Sequence, residues 1–254
     1  MKRIVLCAKW GNVFPPNYVN GLYRAVGENL TGDFRFVCLT NEAEGLAEGI
    51  ECFPLPDLSL APERYAKGAW PKLGVFQRDL YGLEGRALFI DLDSVITSDL
   101  SQLFEGTPTL KAIGAGDDWR RNKIPKVPEL ATGVFAFEIG KHSNILDSFM
   151  ADKENAFARF ANEQQFVEAH VSSWESWPQD WIVSFKRHLC HPIGTDLLRY
   201  PDEPSASTKI VAFHGKPRPI DLVNKKGIWM NFPHSIRCPV KWLDAYWERF
   251  AGSI

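Results

Sequence analysis

Three short apolar runs constrain the fold more than any other feature of the sequence. They occupy residues 3–8, 34–39 and 86–90, and none shows sustained alternation of apolar and polar residues. Such continuous runs are typical of strands buried on both faces of a parallel sheet. Between the first two runs, residues 17–30 carry apolar side chains near the helical period, which predicts a helix. Strand, helix and strand in this order form a right-handed βαβ unit.

The rest of the chain continues the α/β pattern. Residues 53–71 contain four prolines and predict a loop, and residues 72–81 predict a helix that leads to the run at 86–90. Apolar patterning predicts further strands at 111–114, 133–138, 180–185 and 209–213, and further helices at 142–151, 155–169 and 240–250. No repeat or linker interrupts the sequence, so we expect one continuous α/β domain over residues 1–254.

Composition excludes several classes of protein. The chain has 29 Lys+Arg and 31 Asp+Glu, a net charge of −2, which argues against a nucleic-acid partner. No apolar run approaches the about 20 residues of a membrane span, and Lys9 ends the first run too early for a signal peptide. We therefore expect a cytoplasmic protein. A peripheral membrane contact stays open, since Lys225, Lys226, Arg237 and Lys241 are basic but dispersed.

Two carboxylates follow the third apolar run directly. Asp91 and Asp93 flank Leu92, and side chains two residues apart in a strand point to one face, about 6.5–7 Å apart. In open α/β sheets, ligands bind beyond the carboxyl ends of the strands. A pair of carboxylates there suits Mg²⁺ or Mn²⁺ with a phosphorylated ligand. A simple turn after the strand is the structural alternative.

A second polar group follows the predicted strand at 209–213. His214 offers an imidazole acceptable to Mn²⁺, Gly215 allows close backbone approach, and Lys216 suits a diphosphate. Lys186, after the strand at 180–185, is a further phosphate candidate. Asp91 and Asp93 follow one apolar strand, and His214, Gly215 and Lys216 follow another, so the two groups complement each other.

These motifs resemble the glycogenin-like family 8 glycosyltransferases, in a bacterial branch. The resemblance runs from Arg3 to Pro219 and is carried by segments in the family's order: Cys38-Leu-Thr-Asn41, Asp91-Leu92-Asp93, Asp99-Leu-x-x-Leu-Phe104, Thr132-Gly133-Val134-Phe135, Glu163-Gln164-Gln165 and Phe213-His214-Gly215-Lys216-Pro217.

The resemblance implies a GT-A fold, with a Rossmann-like, mostly parallel central sheet flanked by helices. It divides the single domain into a nucleotide-binding half, 1–105, and an acceptor- and metal-completing half, 106–254. It implies a metal-dependent hexosyltransferase with a nucleotide-diphosphate-sugar donor, most often a UDP-sugar. The acceptor would be a carbohydrate or glycoconjugate, and transfer would retain the anomeric configuration.

Residue roles follow from the same resemblance. Asp91, Asp93 and His214 would bind Mn²⁺ (or Mg²⁺), with Asp91 also reaching the ribose. The remaining donor-site positions are Cys7, Ala8 and Lys9 under the nucleoside, Lys72 and Lys216 at the phosphates, and Thr132, Gly133 and Gly215 around the donor. Gln164 would lie beside the anomeric carbon. The chain departs from the family pattern at Lys9, where the family often has an acidic residue, at Glu163 in place of Asp, and at Lys216, which follows the His more closely.

Retention leaves two routes open. A carboxylate nucleophile would have to be Glu163, whereas in the route we favour the acceptor attacks from the leaving-group face and the departing phosphate takes its proton. Two alternative functions also share these motifs. One is a haloacid-dehalogenase-like phosphohydrolase with Asp91 as nucleophile and Gly116-Asp117-Asp118 as its later acidic motif. The other is a non-catalytic nucleotide- or glycan-binding module.

Two further segments have open interpretations. Residues 117–128, which are rich in Arg and Lys, predict a basic loop that is solvated, closes over the donor or attracts a phosphorylated acceptor. The tryptophans at 174, 177 and 181 form either an acceptor platform or ordinary packing.

Overall fold

A seven-stranded sheet organises the protein. The computed structural model describes residues 3–106, 109–116, 129–232 and 234–252. The strands of this sheet are β1 (Arg3–Lys9), β2 (Phe34–Thr40), β3 (Glu51–Phe53), β4 (Arg86–Ile90), β6 (Leu110–Ala115), β7 (Glu129–Glu138) and β8 (Trp174–Ser176). Their spatial order is β3-β2-β1-β4-β7-β6-β8. All neighbours are parallel except β7, which is antiparallel to both β4 and β6. The predicted mostly parallel α/β sheet is confirmed.

Burial on both faces explains the continuous apolar runs. In β1, Val5 and Cys7 pack into one core cluster, whereas Ile4, Leu6 and Ala8 pack into the other. Successive strand residues point to opposite faces. Every residue of such a strand must therefore be apolar or small when helices cover both sides.

Two smaller sheets and the helices complete the fold. A three-stranded sheet contains β5 (Ser94–Ile96), β9 (Ile182–Ser184) and β10 (Ile210–Ala212), and a hairpin contains β11 (Gly227–Asn231) and β12 (His234–Cys238). The α-helices are α1 (Pro16–Asn29), α2 (Pro62–Ala66), α3 (Ser143–Ala151), α4 (Lys153–Arg159), α5 (Glu163–His170), α6 (Pro219–Leu222) and α7 (Lys241–Phe250). Short 3₁₀ helices span Trp70–Phe76, Ser101–Phe104 and Thr195–Leu197, and a π-helix spans Phe185–Leu189. No helix within the described ranges is long and apolar enough to cross a membrane.

Two helix predictions are wrong in detail. The helix expected at 72–81 is instead the 3₁₀ helix Trp70–Phe76, whose residues are all buried and which ends where Gln77 N–H donates to the Gly74 carbonyl. Full burial removes the one-sided pattern that marks an α-helix. The helix expected at 155–169 is two helices, α4 and α5, because the Asn162 side chain accepts from Gln165 N–H and starts a new one.

Other boundaries also differ from prediction. The strand expected at 180–185 is only Ile182–Ser184, since the backbone enters the π-helix at Phe185. The strands β3, β5 and β8 have three residues each, too few for a periodic signal. The predicted basic loop at 117–128, including Asp117 and Asp118, lies outside the described residues.

Candidate active site

The carboxyl end of β4 delivers Asp91 to the centre of the sheet edge. Asp91 N–H donates to the Gly133 carbonyl at 2.8 Å, so the neighbouring strand β7 fixes the backbone there. Gly133 of β7 lies beside the carboxylate, since a Cβ at that position would be in ordinary van der Waals contact with Asp91 Oδ2, at 3.7 Å.

Strand pairing brings the late motif to Asp93. β5 begins directly after Asp93, and it runs antiparallel to β10 with Ser94 opposite Ala212. Phe213 N–H donates to the Asp93 carbonyl at 3.1 Å, so His214 follows at the same edge. Residues more than a hundred positions apart thus meet because two three-residue strands share one register.

Lys72 lies at the centre of a buried polar network. Its ammonium donates to Asp91 Oδ2 at 2.9 Å and to the Thr132 carbonyl at 3.1 Å, and it lies 3.2 Å from Glu163 Oε1. The Thr132 hydroxyl also donates to Glu163 Oε1. Lys72 and Glu163 are each only 4% exposed. An ammonium has three donors, so Lys72 is fully occupied by these partners rather than free to receive a phosphate.

Two cavities meet at this network. An aromatic cavity of about 440 Å³ is lined by Ala8, Trp10, Phe14 and Tyr65 among others. A polar cavity of about 740 Å³ lies on the other side of the network. Its lining includes Thr132, Gly133, Glu163, Gln164, His214 and Gly215. Both cavities are also lined by Ala69, Lys72, Asp91 and Asp93. The paired carboxylates therefore stand where the two cavities meet. The turn expected after the strand is also present, since Ser94 N–H donates to the Asp91 carbonyl at 3.1 Å.

The junction contains a strained residue. Ala69 adopts φ +51°, a left-handed conformation that a residue with a Cβ rarely adopts. It lies between Gly68, whose carbonyl accepts from Glu163 N–H at 2.9 Å, and the 3₁₀ helix that carries Lys72. This turn places Glu163 and Lys72 in contact.

Some predicted positions lie away from the cavities. Cys7 is fully buried in a core cluster, and Lys9 is buried with its ammonium 2.8 Å from Glu42. Lys216 is exposed, and none of these three residues lines either cavity. The structure thus brings together Ala8, Lys72, Asp91, Asp93, Thr132, Gly133, Glu163, Gln164, His214 and Gly215. Residues 174, 177 and 181 also lie outside both linings.

Sequence reasoning missed the aromatic wall. Trp10 Nε1 donates to the Tyr65 carbonyl at 2.9 Å, which holds the indole against α2. Tyr65 lies in the predicted loop at 53–71, and Trp10 lies between the apolar run at 3–8 and the predicted helix at 17–30, so periodicity gives no signal for either residue. The high tryptophan content, nine in all, is the one hint of a ligand-facing aromatic surface. Ser184, whose Oγ is 2.6 Å from His214 Nε2, was missed as well.

Electrostatics distinguish Asp93 from His214. Burial and the neighbouring Asp91 raise the pKa of Asp93 to about 8. Burial, then the positive Lys186 and Arg187, lower the pKa of His214 to about 4, so its imidazole is neutral at pH 7. The pKa of Asp91 is raised by burial and partly restored by Lys72. Among the described residues, the three carboxylates of the pocket, Asp91, Asp93 and Glu163, outnumber the ammonium of Lys72 that is bonded there.

This donor set fits a divalent cation in its chemistry. Carboxylate oxygens and a neutral imidazole are the ligands that Mn²⁺ accepts, and a cation would relieve the repulsion between Asp91 and Asp93. The side chains are not gathered into a ready-made cluster, however. Among the described residues, no three His, Cys, Asp or Glu side chains lie close enough together to hold a metal ion.

Comparisons with known proteins support the fold. No protein-family model matches the sequence, and no curated protein matches it. The galactosyltransferase LgtC, in complex with donor and acceptor sugar analogues, is similar with a TM-score of 0.53 and 13% identity, over 85% of this chain and 88% of LgtC. GlyE, a glycosyltransferase of Streptococcus pneumoniae, has a TM-score of 0.58 and 13% identity, over 100% of this chain and 61% of GlyE.

A third solved structure is similar over part of its length. The bifunctional glycosyltransferase WbbM has a TM-score of 0.53 and 14% identity, over 87% of this chain and 47% of WbbM. At such identities the likeness concerns the fold. The fold is of the GT-A glycosyltransferase type, as predicted.

Proposed function

We propose that the protein is a hexosyltransferase of the family 8 kind. It would transfer a sugar from a nucleotide-diphosphate-sugar donor, a UDP-sugar in the first instance, to a carbohydrate or glycoconjugate acceptor. The observation that carries this proposal is the position of Asp91 and Asp93 where an aromatic cavity meets a polar one. The similar fold of LgtC, which was solved with donor and acceptor sugar analogues, is consistent with it.

The two cavities suit the two parts of such a donor. The aromatic cavity offers the indole of Trp10, held by Tyr65, as a surface on which a nucleobase stacks. The polar cavity offers hydrogen-bonding groups for a sugar, with the Gln164 side chain at its wall. The diphosphate would then lie at the junction, beside Asp91 and Asp93.

A metal would be held at that junction. Asp91, Asp93 and His214 would bind Mn²⁺ or Mg²⁺. When bound, the ion stabilises the negative charge of the departing diphosphate. Among the described residues, Lys186 brings a further positive charge to this edge, since a Cβ on Gly215 would lie 3.7 Å from Lys186 Nζ. We assign Lys186, rather than Lys72 or Lys216, to the phosphates.

The network argues for the second route to retention. Glu163 is buried and accepts hydrogen bonds from Thr132 and Lys72, so its carboxylate is held in place and is a poor nucleophile. In the proposed reaction, the acceptor oxygen attacks the anomeric carbon from the leaving-group face. The bond from that carbon to the phosphate oxygen breaks, and the acceptor proton passes to the phosphate. Glu163 and Lys72 act as positioning residues, and Gln164 contacts the reacting sugar.

The phosphohydrolase alternative is not favoured. Asp91 does follow a buried strand, but β4 pairs with the antiparallel β7, and the similar solved structures LgtC and GlyE are glycosyltransferases. The alternative also has no use for His214. The second alternative, a non-catalytic binding module, differs from the proposed transferase because it would not turn over the donor.

A thermal shift measurement tests nucleotide and metal binding together. UDP, GDP, ADP and CDP are each added with and without Mn²⁺, since a ligand at 100 times its Kd adds about 2.7 kcal/mol to stability. We expect one nucleoside diphosphate to raise Tm only with Mn²⁺. Asp93→Asn should abolish this response, whereas Asp33→Asn, at an exposed position, should keep it. No nucleotide response, with Mg²⁺-dependent hydrolysis of a phosphate ester, would favour the phosphohydrolase.

A further inference from the structure

Exposed apolar side chains are concentrated in two segments. Ten large apolar side chains are exposed within the described ranges, and seven of them lie between residues 193 and 232. The seven are Ile193, Leu197, Leu198, Tyr200, Ile228, Met230 and Phe232. Phe232 is 94% exposed, Leu198 76% and Met230 70%. Single exposed apolar residues are ordinary, but a cluster of them marks an interaction site.

The two segments form one surface. Alternation along β11 turns Trp229 towards the core and leaves Ile228 and Met230 outside. Ile228 pairs with Arg237 on β12, and Arg237 Nη1 donates to the carbonyls of Leu197 and Leu198 at 3.4 and 3.3 Å. We call residues 193–200 with the β11–β12 hairpin the hairpin surface.

Further contacts join the halves of the hairpin surface. The Arg237 guanidinium lies 5.0 Å from the centre of the Tyr200 ring. Ser235 N–H donates to Oδ2 of the buried Asp196 at 3.2 Å, so this carboxylate is bound within the protein. The apolar side chains are therefore held on a folded platform.

The segment of the chain that contains the hairpin surface is positively charged. Residues 185–241 contain ten Lys or Arg and four Asp or Glu, a net charge of +6, whereas the whole chain is −2 and the remainder is therefore −8. Three of the four acids have a partner: Asp196 accepts from Ser235, Asp202 lies 3.8 Å from His191, and Asp221 pairs with Arg218. Lys225 and Lys226 are exposed directly before β11.

We infer that the hairpin surface docks on an anionic membrane surface. The apolar side chains stand on the outer face of a hairpin and at its tip, where Phe232 is almost fully in solvent. Aromatic and aliphatic side chains beside lysines suit the boundary between headgroups and acyl chains. Anionic headgroups complement the excess of Lys and Arg. This inference is independent of the proposed catalytic activity.

Vesicle co-sedimentation of the full chain tests the inference. Vesicles of phosphatidylcholine alone are compared with vesicles that also contain phosphatidylglycerol, at low and high salt. We expect binding to the anionic vesicles only, weakened by salt because the attraction is screened. Lys225→Glu with Lys226→Glu should weaken binding by about tenfold or more. Met230→Ser with Phe232→Ser should also weaken it.

Matched variants control for general effects. Met150→Ser changes an exposed methionine elsewhere, and Lys141→Glu with Arg159→Glu makes the same charge change at exposed positions outside residues 185–241. These variants should bind as the unaltered protein does. Melting temperature checks that every variant is folded.

Several results would overturn the inference. They are equal binding to both kinds of vesicle, no binding to either, and the same loss in the control variants. A dimer that Phe232→Ser dissociates, without vesicle binding, would assign the surface to a second copy. Nucleotide-dependent thermal shift is measured on the same samples, so a failed membrane contact is distinguished from a failed donor site.

Discussion

Replacing Lys72 by methionine removes the positive centre of the polar network while keeping most of the side-chain volume. The Asp91 side chain is 31% exposed, so water can solvate its carboxylate once the ammonium is lost. Glu163 is buried, and of its side-chain partners among the described residues, its carboxylate would keep the Thr132 hydroxyl. Breaking a buried ion pair costs about 3–5 kcal/mol because a charge is left uncompensated. Since one of the two carboxylates is partly solvated, we expect a loss of about 3 kcal/mol.

Urea unfolding in the absence of metal measures this loss. With an m-value of about 3 kcal/mol/M, the midpoint should fall by about 1 M. Lys9→Met is the matched control. Lys9 is equally buried, but its partner Glu42 is 57% exposed and returns to water, so the loss should stay below about 1 kcal/mol.

A double variant separates charge from packing. Lys72→Met with Glu163→Gln removes both charges, so it should recover at least about 1 kcal/mol of the loss in Lys72→Met. Equal losses for Lys72→Met and Lys9→Met, or no recovery in the double variant, would refute the view that Lys72 holds two carboxylates in place.

Three further predictions concern the cavities. Asp93→Asn should stabilise the metal-free protein relative to the unaltered protein, by an amount that grows as pH rises from 4 to 8. The pKa of Asp93 is raised from 3.8 to about 8 in the folded state, so the unaltered protein becomes less stable as pH rises over this range. Thermal melts of both proteins at pH 5 and pH 8 check this prediction. His214→Ala should weaken Mn²⁺-dependent nucleotide binding at least about tenfold by calorimetry, with unchanged metal-free Tm; a variant that fails to fold would favour a structural role. Trp10→Ala should weaken nucleoside diphosphate binding by about 1–3 kcal/mol, whereas Trp174→Ala, outside both cavities, should not.

The sequence predicts best where a local pattern records burial on both sides. β1 and β4 are found where they are expected because every residue of such a strand meets a core. Asp91 follows from the end of β4. The 3₁₀ helix Trp70–Phe76 could not be predicted in this way. All its residues are buried, so its apolar pattern fits a strand and a helix equally well.

The candidate site depends on contacts that no local pattern contains. The meeting of Asp93 with His214 rests on the register of β5 and β10, which have three residues each. The network of Lys72, Glu163 and Thr132 joins three distant segments. In this network Lys72 binds the carboxylates of Asp91 and Glu163. Its position in the sequence before β4 did not indicate this role.

Donor turnover tests the central claim most directly. A panel of UDP-, GDP-, ADP- and CDP-sugars is incubated with the protein and Mn²⁺, and release of the nucleoside diphosphate is followed with water as the acceptor. The account predicts slow release from one class of donor, lost with a chelator and in Asp93→Asn but kept in Asp33→Asn. Release from no donor, together with hydrolysis of a simple phosphate ester, would contradict it.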